Sequence, residues 1–337
     1  MNTRLWFSLA VLCFSCTAHA APGSFDTRTD VRAFIDDMVG RHGFDADELE
    51  FLFSRARSRQ AILRAITPRK TPQARSWNIY RARFVNTMRI EGGTAFWSRH
   101  RKPIARAARE HGVPAEIIVA IIGVETVYGR QTGNFRVVDS LATLAFDYPP
   151  RAAFFRSELE QYLLLARDEN FDVFSVKGSY AGAIGIPQFM PGSIRRYAVD
   201  YDGSASIDLR RSAADAIGSV ANYLRAHGWR RNEAIWAPAH VKGESHRTLL
   251  DFGIRPTVRV ADLGRYQTET AATLAPDTEV ALIALESPDA ETEYRLGFEN
   301  FYVLTRYNRS SLYASAVADL AAALRAARGA QPRRTGR

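Results

Sequence analysis

The chain has 337 residues, of which 46% are hydrophobic and 24% are charged. This composition is ordinary for a globular protein, and the length allows one large core or two to three smaller ones. Extensive disorder is therefore excluded, except at the ends of the chain. The formal net charge of +9 favours an anionic partner at long range, although solubility alone would also account for it.

The first twenty residues have the pattern of a secretory signal peptide. Arg4 precedes an apolar run over residues 5–16, and a small–x–small cleavage motif follows at residues 18–20. Both cysteines, Cys13 and Cys16, lie in this segment, and neither has the flanking residues that lipid attachment requires. The sequence therefore predicts a soluble periplasmic protein without disulfides, whose basic charge favours cell-wall carboxylates or lipid headgroups over nucleic acid.

Residues 25–110 alternate helical patterns with polar breaks. We predict one helix over "DVRAFIDDMVGRHG" that ends at its glycine, and a second over "DADELEFLFSRA" that begins at aspartate caps. The stretch "IEGGTAFWSRHRKPIARAAREHG" indicates one long amphipathic helix. The next stretch, "PAEIIVAIIGVETVYG", has apolar residues on every face from Pro114 until Gly129, which predicts a central, buried helix of about four turns.

Three further helices are predicted over residues 149–169, 190–201 and 212–229, the last with Ser212 and Asp215 as cap candidates. The glycine-rich loop "KGSYAGAIGIPQF" connects the first two of them.

From about residue 250 the hydrophobic pattern changes to alternation. The runs "PTVRV", "EVALIAL" and "EYRLGFENFYVLTRY" predict the strands of a small antiparallel sheet. A final helix is expected over "SSLYASAVADLAAALRAA", capped by Ser310 or Ser311 and ending near Gly329. The tail after it is predicted to be disordered.

Glu125 is the one carboxylic acid in the stretch "AIIGVETVYG". Desolvation and the negative end of a helix dipole both raise the pKa of a carboxyl in this position, so we expect it to be protonated near neutral pH. Glycoside cleavage requires such an acid, because the leaving oxygen must receive a proton as the sugar becomes oxocarbenium-like. A core glutamate satisfied by a buried arginine or hydroxyl is the alternative.

The chain lacks the short motifs of several enzyme classes. No nucleophile elbow, zinc-protease, Walker A, CxxC or dinucleotide-binding pattern occurs in it. Histidines such as His111 and His227 precede glycines at predicted helix ends, where they cap carbonyls. Serine hydrolases, zinc proteases and nucleotide enzymes are therefore disfavoured.

Four stretches carry a resemblance to a known family: "GVETVYG", "GSYAGAIGIPQFMPGS", "DAIGSVANYLRAHGW" and "FYVLTRYN". In this order and spacing, between about Trp77 and Tyr313, the chain resembles the lytic murein transglycosylases of the B type, glycoside hydrolase family 103. The resemblance implies a mostly helical α+β fold, in which a lysozyme-like catalytic core is flanked by a helical lobe and a small β-rich lobe.

The resemblance also implies roles for individual residues. Glu125 would be the sole catalytic acid and base. Ser179 and Gln188 would line the cleft beside it. The residues that would hold the sugar ring and its N-acetyl group are Tyr80, Tyr223, Tyr307, Asn308 and Tyr313. Taken alone, a tyrosine at helical spacing such as Tyr223 is more often a core residue than a ligand-binding one.

The implied reaction cleaves the bond between N-acetylmuramic acid and N-acetylglucosamine, with the substrate's acetamido group in place of a second carboxylate. The muramic 6-hydroxyl would close a 1,6-anhydro ring, and no organic cofactor would be required. Two alternatives stay open. One is a lysozyme-type hydrolase of the same bond, and the other is a catalytically inactive peptidoglycan-binding protein.

The stretch "DYDGSASIDLRRSAAD", residues 200–215, partly matches a calcium loop. Its candidate ligands are Asp200, Asp202, Ser204, Ser206 and Asp215. The loop departs from the calcium pattern at Ala205, where glycine is usual, and at Arg211, where glutamate is usual. A bound structural calcium ion and a solvated loop whose Asp215 caps the next helix are both compatible with this stretch.

We therefore expect a monomer that acts on peptidoglycan strands, with no nucleic-acid partner and no membrane span. Its protein partners would be cell-wall synthesis or remodelling proteins, which the sequence does not identify. The predicted domains are a signal peptide (1–20), an N-terminal helical lobe (24–103), a lysozyme-like core (104–229), a β-rich lobe (230–309), a C-terminal helix that packs on the helical lobe (310–329) and a disordered tail (330–337).

Overall fold

The computed structural model describes residues 25–67 and 76–330. The predicted signal peptide and the tail after Ala330 lie outside these residues. The chain divides into two compact units, one up to Ser58 and one from Arg59 onward. The domain limits that the sequence predicts, which are finer than this division, stay a prediction. Within the described ranges, no helix combines the length and the apolar character needed to cross a membrane.

The first unit contains helix α1 (Thr29–His42) and helix α2 (Ala46–Arg55). Both predicted helix ends are confirmed. Gly43 ends α1 in the left-handed conformation (φ 63°), which glycine adopts without steric cost. The Asp45 side chain accepts a hydrogen bond from the Glu48 N–H and caps α2.

The second unit contains the remaining elements. Helices α3 to α14 are, in chain order, Gln60–Ile66, Trp77–Phe84, Thr87–Arg99, Arg101–His111, Ala115–Thr126, Val137–Asp147, Ala152–Asp168, Pro191–Tyr197, Ala213–Ala226, Arg247–Asp251, Glu299–Tyr307 and Ser311–Gly329. Strands β1 to β7 are Phe135–Arg136, Lys177–Gly178, Trp236–Val241, Val258–Arg259, Thr268–Glu269, Glu279–Ser287 and Ala290–Gly297. Short 3-10 helices cover Pro149–Arg151 and Val260–Tyr266.

Helix α7 (Ala115–Thr126) is the buried central helix of this unit, as predicted. Its residues from Ile117 to Val124 are all buried, and α5, α6, α11 and α14 pack around it. An apolar helix of this kind is stable only when neighbours cover every face. The helix ends at Thr126 rather than at Gly129, because Val127 already adopts a left-handed conformation.

The prediction of one long helix before α7 was wrong. Two helices, α5 and α6, meet at His100. Pro103 explains the break, because proline has no N–H to donate and is tolerated only in the first turn of a helix. Helix α8 (Val137–Asp147) was not predicted, since ten consecutive buried residues leave no periodic pattern.

The predicted antiparallel sheet is confirmed, with strand order β4-β6-β7-β3-β5 and every pair antiparallel. A two-residue turn, Pro288-Asp289, joins β6 to β7. Strand β3 was missed because it contains Pro238, which cannot donate to a neighbouring strand. Strand β5 pairs with β3 only at His240 and Val241, so Pro238 lies beyond that ladder.

The prediction that residues 299–307 continue a strand was wrong, because they form helix α13. Buried Asn300 accepts a hydrogen bond from the Arg230 N–H and donates to the carbonyls of Arg230 and Glu233. These bonds to a distant loop are tertiary interactions, which a local pattern of aromatic and β-branched residues does not reveal. The final helix, α14, is capped by Ser310 as predicted.

A buried ion cluster connects the sheet to α4 and α14. Arg295 on β7 is 2% exposed, pairs with Asp319 at 2.9 Å and with Glu293 at 2.6 Å, and lies 3.9 Å from the ring centroid of Trp236. Arg81 on α4 pairs with the same Asp319 at 2.7 Å. Removing one partner of a buried pair leaves an uncompensated charge.

We predict that Asp319→Asn lowers the free energy of unfolding by about 2 to 4 kcal/mol, because Arg295 then loses a buried carboxylate partner. Urea denaturation followed by circular dichroism measures this change. Glu269→Gln, which breaks the exposed pair with Lys242, is the control and should leave the unfolding midpoint unchanged. Equal effects of the two substitutions would contradict a stabilising role for the cluster.

Candidate active site

A cleft of about 970 Å³ in the second unit contains most of the predicted site residues. Those that line it are Glu125, Ser179, Gln188, Tyr223, Tyr307 and Asn308. Tyr80 and Tyr313 do not line the cleft, but Tyr313 is hydrogen-bonded to Glu125, and Tyr80 is near enough for the Glu125 charge to raise its pKa. The structure therefore brings together all eight residues that the sequence analysis assigned to catalysis and sugar binding.

Glu125 lies in the last turn of α7 and is partly exposed to the cleft. Burial by the surrounding protein raises the pKa of its carboxyl to about 7, although a hydrogen bond from Tyr313 acts in the opposite direction. The Tyr313 hydroxyl donates this bond to Glu125 Oε1 at 2.6 Å. No described arginine or lysine forms an ion pair with Glu125, so no neighbouring cation offsets the effect of burial, and the pKa of the carboxyl stays well above its ordinary value.

Three tyrosines from three helices surround this carboxyl. Tyr313 in the first turn of α14 stacks on Tyr307 at the end of α13, with ring centroids 6.3 Å apart and planes 11° apart. Tyr80 comes from α4, and burial followed by the Glu125 charge raises the pKa of its hydroxyl to about 12. All three hydroxyls are therefore neutral near pH 7, and Glu125 is the group here that can release or accept a proton.

Two tyrosine hydroxyls brace the wall of the cleft. Tyr307 donates to the Pro187 carbonyl at 2.6 Å, and Tyr223 donates to the Arg306 carbonyl at 2.7 Å. Their rings lie 5.0 Å apart between centroids. Tyr223 is only 8% exposed, so its main role in this structure is to hold α13 in place through the hydrogen bond to Arg306.

The glycine-rich loop presents polar atoms to the cleft. Ser179 Oγ accepts hydrogen bonds from the N–H groups of Ala181 and Ala183, so its own hydrogen is left to donate. The Gln188 amide nitrogen donates to the carbonyls of Thr132 and Gly185, which leaves Oε1 as an acceptor. A donor and an acceptor next to an acid suit the hydroxyl and acetamido groups of a sugar.

Several residues that line the cleft were not predicted from the sequence: Arg151, Phe154, Glu158, Tyr180, Arg196, Arg306 and Arg309. None of the four arginines forms an ion pair with a described residue, so the cleft favours anionic ligands. Nothing in the sequence separates these four arginines from the rest of its 45 lysines and arginines.

Glu158 is a second carboxyl of the cleft, but its environment differs from that of Glu125. Its Oε2 accepts a hydrogen bond from the Gly192 N–H at 2.8 Å, at the start of α10. Burial raises its pKa, whereas the Gly192 amide and then Arg196 lower it. The backbone bond gives Glu158 a structural reason to be present.

The loop at residues 200–215 brings three carboxylates together. Oxygen atoms of Asp200, Asp202 and Asp215 lie within 4.8 Å of one another. Hydrogen bonds from Ser212 and then Ser204 lower the pKa of Asp202, which is therefore ionised at neutral pH. Ala205 adopts a left-handed conformation (φ 64°) at the place where calcium loops have glycine.

Of the two predicted caps of the following helix, Ser212 is confirmed, because it accepts a hydrogen bond from the Asp215 N–H. The prediction that Asp215 caps the helix was wrong, because its carboxylate binds N–H groups of the preceding loop instead. Asp215 itself is fully buried and accepts hydrogen bonds from the N–H groups of Tyr201, Asp202 and Asp208. It therefore organises the loop whether or not a cation is bound.

Comparisons with known proteins identify the family of the chain. Residues 26–322 match the family described as the Transglycosylase SLT domain. The chain is 39% identical over 315 residues to the membrane-bound lytic murein transglycosylase B of Escherichia coli K12, which covers 91% of this chain and 85% of that protein.

Two solved structures are similar over most of their length. The catenated lytic transglycosylase SltB1 from Pseudomonas aeruginosa is 46% identical with a TM-score of 0.84, covering 90% of this chain and 99% of that one. The Escherichia coli lytic transglycosylase Slt35 in complex with calcium is 38% identical with a TM-score of 0.80, covering 91% and 96%. The chain therefore belongs to the lytic murein transglycosylases of the B type, enzymes that act on peptidoglycan, as the resemblance implied.

Proposed function

We propose that the enzyme cleaves the β-1,4 bond between N-acetylmuramic acid and N-acetylglucosamine and leaves a 1,6-anhydro ring on the muramic acid. The observation that carries this proposal is the Glu125 carboxyl, which has a pKa of about 7, lines the cleft and has a tyrosine rather than a cation as its partner. A general acid works best when its pKa lies near the operating pH.

Glu125 acts twice in this mechanism. It first donates its proton to the glycosidic oxygen as the bond to C1 of the muramic acid breaks, and the substrate's acetamido oxygen stabilises the positive charge at C1. The resulting carboxylate then removes the proton from the 6-hydroxyl, whose oxygen attacks C1 and closes the ring. Glu125 is protonated again at the end, so the reaction consumes no water.

The tyrosine wall favours ring closure over hydrolysis. Tyr307 and Tyr313 stack beside Glu125, and the Tyr307 hydroxyl ties α13 to the glycine-rich loop. Aromatic rings placed in this way limit the access of water to Glu125. Held in the cleft, the 6-hydroxyl is also a more probable nucleophile than bulk water, because its attack is intramolecular.

We predict that purified peptidoglycan digested with this enzyme yields muropeptides that end in 1,6-anhydro-muramic acid. Mass spectrometry distinguishes them, because a hydrolase would produce reducing ends that are one water heavier. Glu125→Gln should lower kcat by at least about a thousandfold while binding persists, because only the transferable proton is lost.

Glu158→Gln is the matched control for this experiment. It neutralises the other carboxyl of the same cleft and should keep most of the activity, because the amide can still accept the Gly192 hydrogen bond. Loss of activity in Glu158→Gln together with hydrated products would favour a two-carboxylate hydrolase instead. Binding without turnover in the wild type would indicate a wall-binding protein.

The pH dependence provides a second test. We predict that kcat/KM of the wild type falls as the pH rises through about 7, because the proton on Glu125 is then lost. The Tyr313 hydrogen bond stabilises the carboxylate and lowers this pKa, so Tyr313→Phe should move the alkaline limb to higher pH. An unchanged limb, or one at lower pH, would contradict the assignment of Glu125 as the acid.

We also propose that the loop at residues 200–215 binds calcium. The donor set fits, since Asp200, Asp202 and Asp215 offer carboxylate oxygens and Ser204 and Ser206 lie in the same loop. The ion would rigidify the loop before α11 and would take no part in the bond cleavage.

The predicted affinity is weak, with a dissociation constant of about 0.1 to 1 mM, because the loop has fewer carboxylates than a strong calcium site. Titration calorimetry with calcium chloride measures the affinity, and Asp202→Asn should weaken it. The absence of heat and of any shift in Tm at 10 mM calcium, a concentration about tenfold above that range, would rule the site out.

We further propose that the enzyme acts in the periplasm after removal of residues 1–20. The signal-peptide pattern of these residues and the extracytoplasmic location of peptidoglycan support this localisation.

A further inference from the structure

The chain leaves Glu125 through three consecutive left-handed residues. Val127, Tyr128 and Gly129 have φ values of 50°, 63° and 84°. This conformation suits glycine but is strained for a β-branched residue such as Val127. Such strain persists only where the surrounding structure enforces it.

Tyr128 is the residue of this turn that contacts with α5 hold in place. Its hydroxyl donates a hydrogen bond to the Arg89 carbonyl on α5 at 2.6 Å, and its ring stacks on Phe96 with centroids 5.5 Å apart. Arg89 is 8% exposed, and its Nε donates to the Gly123 carbonyl on α7 at 3.1 Å. One residue of α5 thus holds both the exit from α7 and the helix that carries Glu125.

Three glycines form the slot that receives the Tyr128 ring. A Cβ on Gly93 would lie 2.4 Å from the Tyr128 hydroxyl, and one on Gly123 would lie 2.5 Å from it. A Cβ on Gly92 would lie 3.1 Å from two ring carbons. Glycine inside a helix is less favourable than alanine, but here the Tyr128 ring, together with Leu324 at Gly93, occupies the space that a Cβ would need.

We infer that Tyr128 is a positioning residue for Glu125: its anchor in the glycine slot fixes the left-handed exit of α7 and thereby the place of the carboxyl against Tyr313. This inference rests on the proposed function, because it takes Glu125 as the acid. Without the anchor the strained turn relaxes, and the last turn of α7 moves relative to α14.

The groups that face Glu125 determine what a relaxed turn would change. Tyr80 from α4, Tyr307 from α13 and Tyr313 from α14 surround the carboxyl, and Arg89 is the charged residue next to Tyr128. A looser turn admits water to this shell. The ionised form of Glu125 is then better solvated. Burial affects this pKa more than the Tyr313 hydrogen bond does, so the pKa falls towards the ordinary value for a glutamate even when that bond weakens.

The test compares Tyr128→Phe with Tyr162→Phe. Tyr162 on α9 is also buried, and its hydroxyl donates to a backbone carbonyl, that of Val173, at 2.7 Å, but it does not line the cleft. Each variant loses one hydroxyl of the same kind. For Tyr128→Phe we expect kcat to fall about tenfold with KM within about twofold, and the alkaline limb of kcat/KM to move to lower pH. Tyr162→Phe should leave both unchanged.

An unshifted limb in Tyr128→Phe, or the same shift in both variants, would overturn the inference. Should Tyr128→Phe fail to fold, Gly92→Ala tests the inference instead. The added Cβ only crowds the Tyr128 ring, so the alkaline limb of kcat/KM should move in the same direction but by less. Glu125→Gln separates the two proposals: activity in that variant refutes Glu125 as the acid, whereas a normal pH limb in Tyr128→Phe and Gly92→Ala refutes only the anchor.

Discussion

The hydrogen bond between Tyr313 and Glu125 joins residues 188 positions apart and is the contact on which the rest of the site depends. It requires α7 to be buried on every face and α14 to lie directly against its last turn. Burial alone would raise the pKa of the carboxyl further, and a cation in place of the tyrosine would lower it. The fold thus supplies a neutral hydrogen-bond donor to a group that must carry a proton at one moment and a charge at the next.

The position of α14 is fixed at two points, its first turn and its middle. Ser310 caps its first turn, which sets the direction in which Tyr313 leaves the helix. Six residues after Tyr313, Asp319 binds Arg295 of the sheet and Arg81 of α4, the helix that also carries Tyr80. The β-rich part of the second unit therefore contributes to the site without lining it, because it holds the helix that positions the tyrosine.

Local sequence patterns predicted the elements whose signal is local. The apolar faces of α7, the caps at Asp45, Ser212 and Ser310 and the alternation in β6 are of this kind. Residues 299–307 were misread because their helix depends on Asn300, whose partners lie about 70 residues earlier. The physical argument from the residues singled out Glu125, whereas Tyr80 and Tyr313 came only with the family resemblance, since nothing local distinguishes them from core tyrosines.

The partner of Glu125 limits how strongly its charge can be stabilised. A neighbouring arginine lowers the pKa of a carboxyl by about 1 to 3 units, and each unit corresponds to about 1.4 kcal/mol. Such a shift would leave Glu125 ionised at neutral pH and unable to protonate the leaving oxygen. With no donor at all, the buried carboxylate formed after proton transfer would be too unstable to persist until the 6-hydroxyl attacks. A tyrosine hydroxyl lies between these limits, because it stabilises the anion through a short hydrogen bond without adding a permanent positive charge.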